Sequence, residues 1–476
     1  MIHCLSIRAT IVARVKRYHV LCPAALLAIF FGGGFSLLQA QSNYATPYAF
    51  TTLAGTAGTF GSSDGTGAAA QFQNAEGIAV DGSGNVYVAD TNNQTIRKIT
   101  PAGVVTTLAG SVGMQGSTDA TGAAARFYNP YGVAVDNVGN VYVGDTYNGT
   151  IRKITAGGVV TTLAGSARQF GSTNGTGSAA RFGEPRGIAV DGSGNVYVAD
   201  TTNQLIREVT PGGVVTTLAG TAGVSGSTDG TRSAARFYEP TDVAVDGSGN
   251  VYVADFDNQA IRKLTPSGVV TTLAGGSFGS ADGSGAAAQF SNPSGVAVDG
   301  SGNIYVADNA NDLIRMITPG GVVTTLAGLA ETSGSTDGVG SAALFTNPAY
   351  LAVDGSGNLY VNDTGNYTIR KGAVAPDAFG GTVVNGGALK YSSWFGYYTY
   401  SSYPLVYQYY LGYEYVFPTN GGVCLYDYTS GHFWYTQSSY FPYLYDFSLN
   451  TFLYYYEANT PHRHFYDSNT NQVITE

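Results

Sequence analysis

One unit is written six times in this chain, and that repetition limits the fold more than any other feature. The string V-T-T-L-A-G begins at 105, 160, 215, 270 and 323, with Phe50-Thr51-Thr52-Leu53-Ala54-Gly55 as a sixth copy. A second string, A-V-D-G-S-G-N-V-Y-V-A-D with small changes, begins at Ala79, Ala134, Ala189, Ala244, Ala297 and Ala352. A third, I-R-K or a close variant, begins at Ile96, Ile151, Ile206, Ile261, Ile314 and Ile369. A fixed period of this length marks a repeat architecture, in which each unit buries its apolar face against its neighbours.

Each unit decodes into four short strands. In the first copy Gly77–Val80 is short and apolar, as an innermost strand should be. The turn 81–85 (D-G-S-G-N) supplies glycines for positive φ and Asp and Asn to bond back to the backbone. Strands over Val86–Ala89, Thr95–Thr100 and Val104–Ala109 follow, separated by tight turns. Four such strands form one antiparallel blade, favoured over a β-solenoid by the long period. The expected fold is therefore all-β: a six-bladed β-propeller plus a small tyrosine-rich β-hairpin domain. Strands one to three occur six times between 77 and 371, but the fourth follows only five of them. The missing one lies ahead of everything at 50–55, so the N-terminal strand is expected to close the ring and hide its open edges. The segments between blades carry G-S-x-D-G-x-G-A-A-A-[RQ]-F, read as one helical turn pinned by Phe72 and its five equivalents.

The pattern G-[IV]-A-V-D-x-x-G-N-V-Y-V-A-D-T-x-N-x-x-I-R-K followed by V-T-T-L-A-G closely resembles NHL repeats, over about 50–371. Propellers similar to these act as protein scaffolds, RNA binders, ligand sensors and a metal-dependent lyase, so the resemblance implies the fold and leaves the function open.

Domain boundaries follow from composition. Arg8, Arg14, Lys16 and Arg17 precede an apolar run from Leu21 to Leu38, and Leu38-Gln39-Ala40 suits a signal peptidase. Residues 1–40 are read as a signal peptide, with an uncleaved anchor as the alternative, and the location as secreted, periplasmic or cell-surface. The propeller is assigned to 41–371, a linker to 372–390 and a tyrosine-rich hairpin module to 391–476. Cleavage removes four of the 22 basic residues and no acidic ones, leaving 18 against 32 and a net charge of −14. That balance argues against nucleic acid, whose phosphates need a basic surface. Cys4 and Cys22 leave with the signal, so Cys424 has no partner for an intrachain disulfide. No membrane span is expected after cleavage.

Candidate functional residues were weighed against structural roles. Each repeat places an Asp seven residues before an Arg, from Asp90 and Arg97 to Asp363 and Arg370. Six copies of one pair read as a hairpin ion pair of the scaffold. Asp64, Asp119, Asp229, Asp282 and Asp337 sit in Gly-rich loops, where one carboxylate per loop is too few ligands for calcium and an Asx-turn is expected. The region 41–371 has no His and no Cys, so no catalytic residue, metal ligand or cofactor is assigned. A metal-dependent hydrolase of the gluconolactonase type needs only acidic and amide ligands and stays as the alternative. Glu76, Glu184, Glu239 and Asp242 lie near the start of first strands, where channel ligands would be, but read as surface charge.

Divergence between copies is more informative. One column holds Glu76, Tyr131, Arg186, Thr241, Ser294 and Ala349, six unlike residues on one rim, read either as a recognition face or as drift on a solvated loop. Glu76, Tyr131, Arg186, Thr241 and Ser294 are the binding candidates of the propeller. In the tail, Tyr391–Glu476 holds 20 of the 35 tyrosines, seven Phe and both Trp, with Tyr407, Tyr426, Tyr445 and Tyr466 opening short strands. It loosely resembles the aromatic hairpin repeats of bacterial cell-wall-binding modules, and Trp394 and Trp434 are its binding candidates. The expected partner is a protein or a neutral glycan of the cell envelope, bound without catalysis.

Overall fold

A computed structural model describes residues 48–374 in full and, beyond them, only the backbone of short strands between Thr382 and Thr475. The signal peptide, most of the linker, Trp394 and the side chain of Trp434 lie outside the described residues. The tail strands pair antiparallel, each with its neighbour in sequence.

Residues 48–374 form six antiparallel sheets around a channel, the six-bladed propeller expected from the repeats. The innermost strands are Ala75–Val80, Pro130–Val135, Pro185–Val190, Pro240–Val245, Pro293–Val298 and Pro348–Val353. Blade 1 then continues through Val86–Asp90, Thr95–Ile99 and Val104–Gly110. Tyr48–Ala54 pairs with Thr368–Val374, placing Thr52 opposite Arg370, so the first strand is the outer strand of the last blade. Its Tyr48 hydroxyl donates to the Gly357 carbonyl at 2.9 Å, and Phe50 meets Phe345 edge-on at 5.1 Å.

Local chemistry explains why each repeat folds this way. The Asp81 carboxylate accepts from the Ser83 and Asn85 amides at 2.9 Å, from the Asn85 side chain at 2.8 Å and from the Tyr87 hydroxyl at 3.1 Å. Gly84 takes φ +78 to turn the chain there. The same five-residue lock recurs with Asp136, Asp191, Asp246, Asp299 and Asp354. Between blades, the Thr91 hydroxyl donates to the Pro130 carbonyl at 2.7 Å, and the Gln94 side chain accepts from the Asn129 amide at 2.7 Å.

Each blade is built around a buried arginine. The Arg97 guanidinium donates to Asp90 at 2.6 Å, to Asp64 at 2.8 Å and to the carbonyls of Gln71 and Ser63 at 3.0 Å, over the face of Phe72 at 5.2 Å. Asp90 is satisfied in turn by the Gln73 amide and the Asn93 side chain, each at 2.8 Å. The expected hairpin ion pair is therefore present in all six blades, at 2.6 to 2.9 Å and fully buried. The expected Asx-turn at Asp64 is not what forms. Its carboxylate reaches out of its own loop to Arg97 and to the amide and hydroxyl of Thr107, tying loop, third strand and outer strand together. Charge drives this choice, because a buried guanidinium needs more than one acceptor. The alanine-rich segment does form one 3-10 turn, Gly67–Ala69, and Phe72 beyond it is completely buried.

Candidate functional site

The inner strands all run in the same sense, so their first residues gather at one end of the channel. There they line a pocket of about 300 Å³. All six residues of the divergent column, Glu76, Tyr131, Arg186, Thr241, Ser294 and Ala349, border it, one from each blade. The structure thus brings the five propeller candidates together at a concave site, where a solvated loop was the competing reading.

The six do not contribute equally. Blades 1 to 3 supply the large and charged side. Glu76 accepts from the Asn74 side chain at 2.9 Å. The Arg186 guanidinium lies over the Tyr131 ring at 5.6 Å and reaches Glu184 at 3.4 Å, an ion pair that keeps about 30% exposure on both sides. Blades 4 to 6 supply the small side, and its hydroxyls are committed: Thr241 donates to the Ser294 carbonyl at 2.9 Å and Ser294 to the Ala349 carbonyl at 2.6 Å. Within this column the small side chains therefore lie on blades 4 to 6, while the pocket itself is lined from all six blades.

The next column explains the floor. Four blades carry glycine there, at Gly77, Gly132, Gly187 and Gly295, and two carry Asp242 and Tyr350. A Cβ on Gly77 would collide with the Tyr131 carbonyl, so the glycines let the inner strands approach closely. A Cβ on Gly187 would strike the Asp242 carboxyl, so that glycine also makes room for Asp242. Asp242 accepts from the Val296 amide at 2.9 Å. Tyr350 reaches from blade 6 to blade 4, where its hydroxyl donates to the Thr241 carbonyl at 3.0 Å. Both are buried, so the reading of Asp242 as surface charge is overturned; Glu184 and Glu239 do remain partly exposed. Glu76 keeps some solvent access but is packed by protein on its other sides.

Burial governs the acid–base state. It pushes the Glu76 carboxyl up to about 8, against the pull of Arg186 and Asn74, so the group is protonated at neutral pH. It raises Asp242 well above the carboxylate range, against the amides of Val296 and Val243, and pushes the Tyr131 hydroxyl up to about 12.

Other columns break their pattern in a single blade, and two of those exceptions, Phe256 and Tyr350, line the pocket. Thr91, Thr146, Thr201 and Thr364 each bond a carbonyl of the next blade at 2.7 to 2.8 Å, and Asn309 does so at 3.1 Å. In blade 4 that position is Phe256, which gives up the bond and walls the pocket. Where other blades have Ala89, Gly144, Ala199, Ala254 and Ala307, blade 6 has Asn362, whose amide donates to the Glu76 and Gly77 carbonyls. Asn362 itself is buried and does not line the pocket, whereas Tyr350, the exception in the glycine column, does. Among the described residues no three of His, Cys, Asp and Glu come together as a metal site.

Comparison with known proteins places this geometry. The family model described as NHL repeat matches residues 72–99, 127–154, 182–208, 237–264 and 290–315. The chain is 31% identical over 281 residues to the Arabidopsis thaliana protein SUPPRESSOR OF QUENCHING 1, chloroplastic, covering 55% of this chain and 26% of that one. It is 28% identical over 328 residues to human NHL repeat-containing protein 2, covering 65% and 40%. It thus spans between a quarter and two fifths of the length of these curated relatives. An auxiliary nutrient binding protein from Bacteroides thetaiotaomicron superposes with a TM-score of 0.53 at 17% identity, over 68% of this chain and 76% of that chain, a likeness of fold alone.

Proposed function

We propose, from the premise that this chain is a six-bladed β-propeller carrying NHL repeats, that it is a secreted, non-catalytic binding protein. Its ligand site is the pocket at the start of the inner strands, which receives a small molecule or one residue of an envelope glycan or protein. The carrying observation is where the repeats differ. The side chains that break the sixfold pattern at Glu76, Tyr131, Arg186, Phe256 and Tyr350 all border one concavity. A ligand that lacks sixfold symmetry requires a site that lacks it too. The Bacteroides structure described as nutrient binding fits this reading in kind. Trp394 and Trp434 of the tail are proposed as a second, stacking contact to the envelope.

The test is a glycan and envelope-fraction binding screen on the full mature chain beside its Tyr131→Ala and Phe256→Thr variants. Binding that falls in both variants supports the pocket. Binding unchanged in both would move the site elsewhere.

One feature favours a second reading, that of a hydrolase: burial inside the pocket pushes the Glu76 carboxyl up to about 8, a direction that suits a general acid. Lactone hydrolysis by the purified chain that vanishes in Glu76→Gln would establish it over the binding role.

A further inference from the structure

We propose that the pocket takes a small cyclic carboxylate, its acid group against Arg186 and its ring against Phe256; this rests on the pocket being the ligand site. Arg186 is the only Lys or Arg among the pocket's lining residues. Its one carboxylate partner, Glu184, stands at 3.4 Å in a half-open pair, and its Nε is buried with no hydrogen-bond partner. Neither Glu76 in the pocket nor Asp242 in its floor hydrogen-bonds Arg186. Glu76 is turned to the Asn74 amide in a setting that favours its protonated form, and Asp242 is turned away to the Val296 amide. The Arg186 guanidinium stands over the Tyr131 ring at 5.6 Å, and a guanidinium's planar fork can receive a carboxylate through paired N–H donors.

The rest of the ligand follows from the opposite half. Thr241 and Ser294 have spent their hydroxyls on backbone carbonyls, so they present little hydrogen bonding toward the open space. Phe256 stands there instead of the threonine used by four other blades, at the cost of an interblade bond that those four make. An aromatic wall beside small residues suits a ring stacked face-on, either a sugar or an arene. The cavity of about 300 Å³ holds one such ring with one acid group. A uronic acid and an aromatic acid share this chemistry.

Calorimetry on the full mature chain separates them, using galacturonate against galactose and phenylacetate against 2-phenylethanol. We expect one acid to bind roughly tenfold or more tightly than its neutral partner, the worth of one charge-assisted hydrogen bond. Arg186→Gln should erase that preference. Phe256→Thr, which restores the hydroxyl other blades carry and so preserves the fold, should weaken the acid while leaving the melting temperature equal or higher. Equal binding of acid and neutral probes, or a preference that survives Arg186→Gln, overturns the carboxylate inference but leaves the pocket standing if Phe256→Thr still weakens binding. Binding indifferent to both variants overturns the pocket reading as well, whereas failure of all four probes to bind overturns the carboxylate inference alone.

Discussion

The arginine hub of each blade and the channel mouth are a few residues apart in sequence, yet they obey opposite rules. Every hub holds the same groups: Arg97 and its equivalents buried over a phenylalanine, a buried aspartate seven residues earlier, and carbonyls from the preceding loop. The mouth holds a different residue from every blade. A buried ion pair tolerates no change, because losing one partner strands a charge in a low-dielectric interior. Among the described residues the mouth carries no such buried ion pair, so its residues are free to differ between blades and to serve recognition. Within a repeat protein, the unvarying columns therefore report the scaffold and the varying ones report the site.

Four experiments press on that contrast. The largest effect should come from removing Tyr48–Ala54, which leaves Thr368–Val374 as an unpaired edge. The shortened chain should aggregate or lose its cooperative melt; a monomer with the wild-type transition would contradict the closure. Next, Arg262→Met strands the fully buried Asp255. The expected loss is about 3–5 kcal/mol in urea unfolding, and a loss below about 1 kcal/mol would mean the hubs are dispensable.

The mouth should respond with the other sign. Glu76 has its folded-state value raised to about 8 from an ordinary 4.5. Between those two pH values the folded chain keeps a proton that the unfolded chain has released. Its stability therefore falls as pH rises across that window, and below it the group contributes nothing either way. Glu76→Gln removes the penalty. It should match wild type at pH 4 and exceed it at pH 9 by on the order of 1–2 kcal/mol, allowing for its partial solvent access. A variant less stable than wild type at pH 9 would show that the ionised carboxylate belongs to the scaffold. The smallest effect belongs to blade 3, the one hub in which Asn174 replaces the loop aspartate. Asn174→Asp should add less than about 1 kcal/mol, since the equivalent Asp64, Asp119 and Asp229 are nearly half exposed. A gain of several kcal/mol would make the loop acid an equal partner of the buried one.

How much of this was legible in the sequence follows the same division. The blades, their order and the closing strand are written in repeated strings, and the Asp90–Arg97 pair in a constant spacing across one hairpin. Asp64 was misread as a local turn because its partner Arg97 is 33 positions away, joined through a fold that a loop sequence does not display. The column from Glu76 to Ala349 was visible as divergence, but that its members share one cavity is a consequence of ring closure. Tyr350, Phe256 and Asn362 broke their own columns just as plainly. They were overlooked because a glycine, threonine or alanine column reads as packing until the one exception is seen in place.

The pairing of Thr52 with Arg370 also sets an order in time. The strand that completes the ring is the first part of the propeller to leave the ribosome, and its partner is the last. For the whole interval between them, the growing chain carries blades with two open ends, and the first strand must wait unpaired through more than three hundred residues of synthesis. Contacts so distant in sequence form slowly. The finished molecule is therefore made in one late step, so a chain stopped anywhere before blade 6 has a mouth with missing walls and nothing to close it.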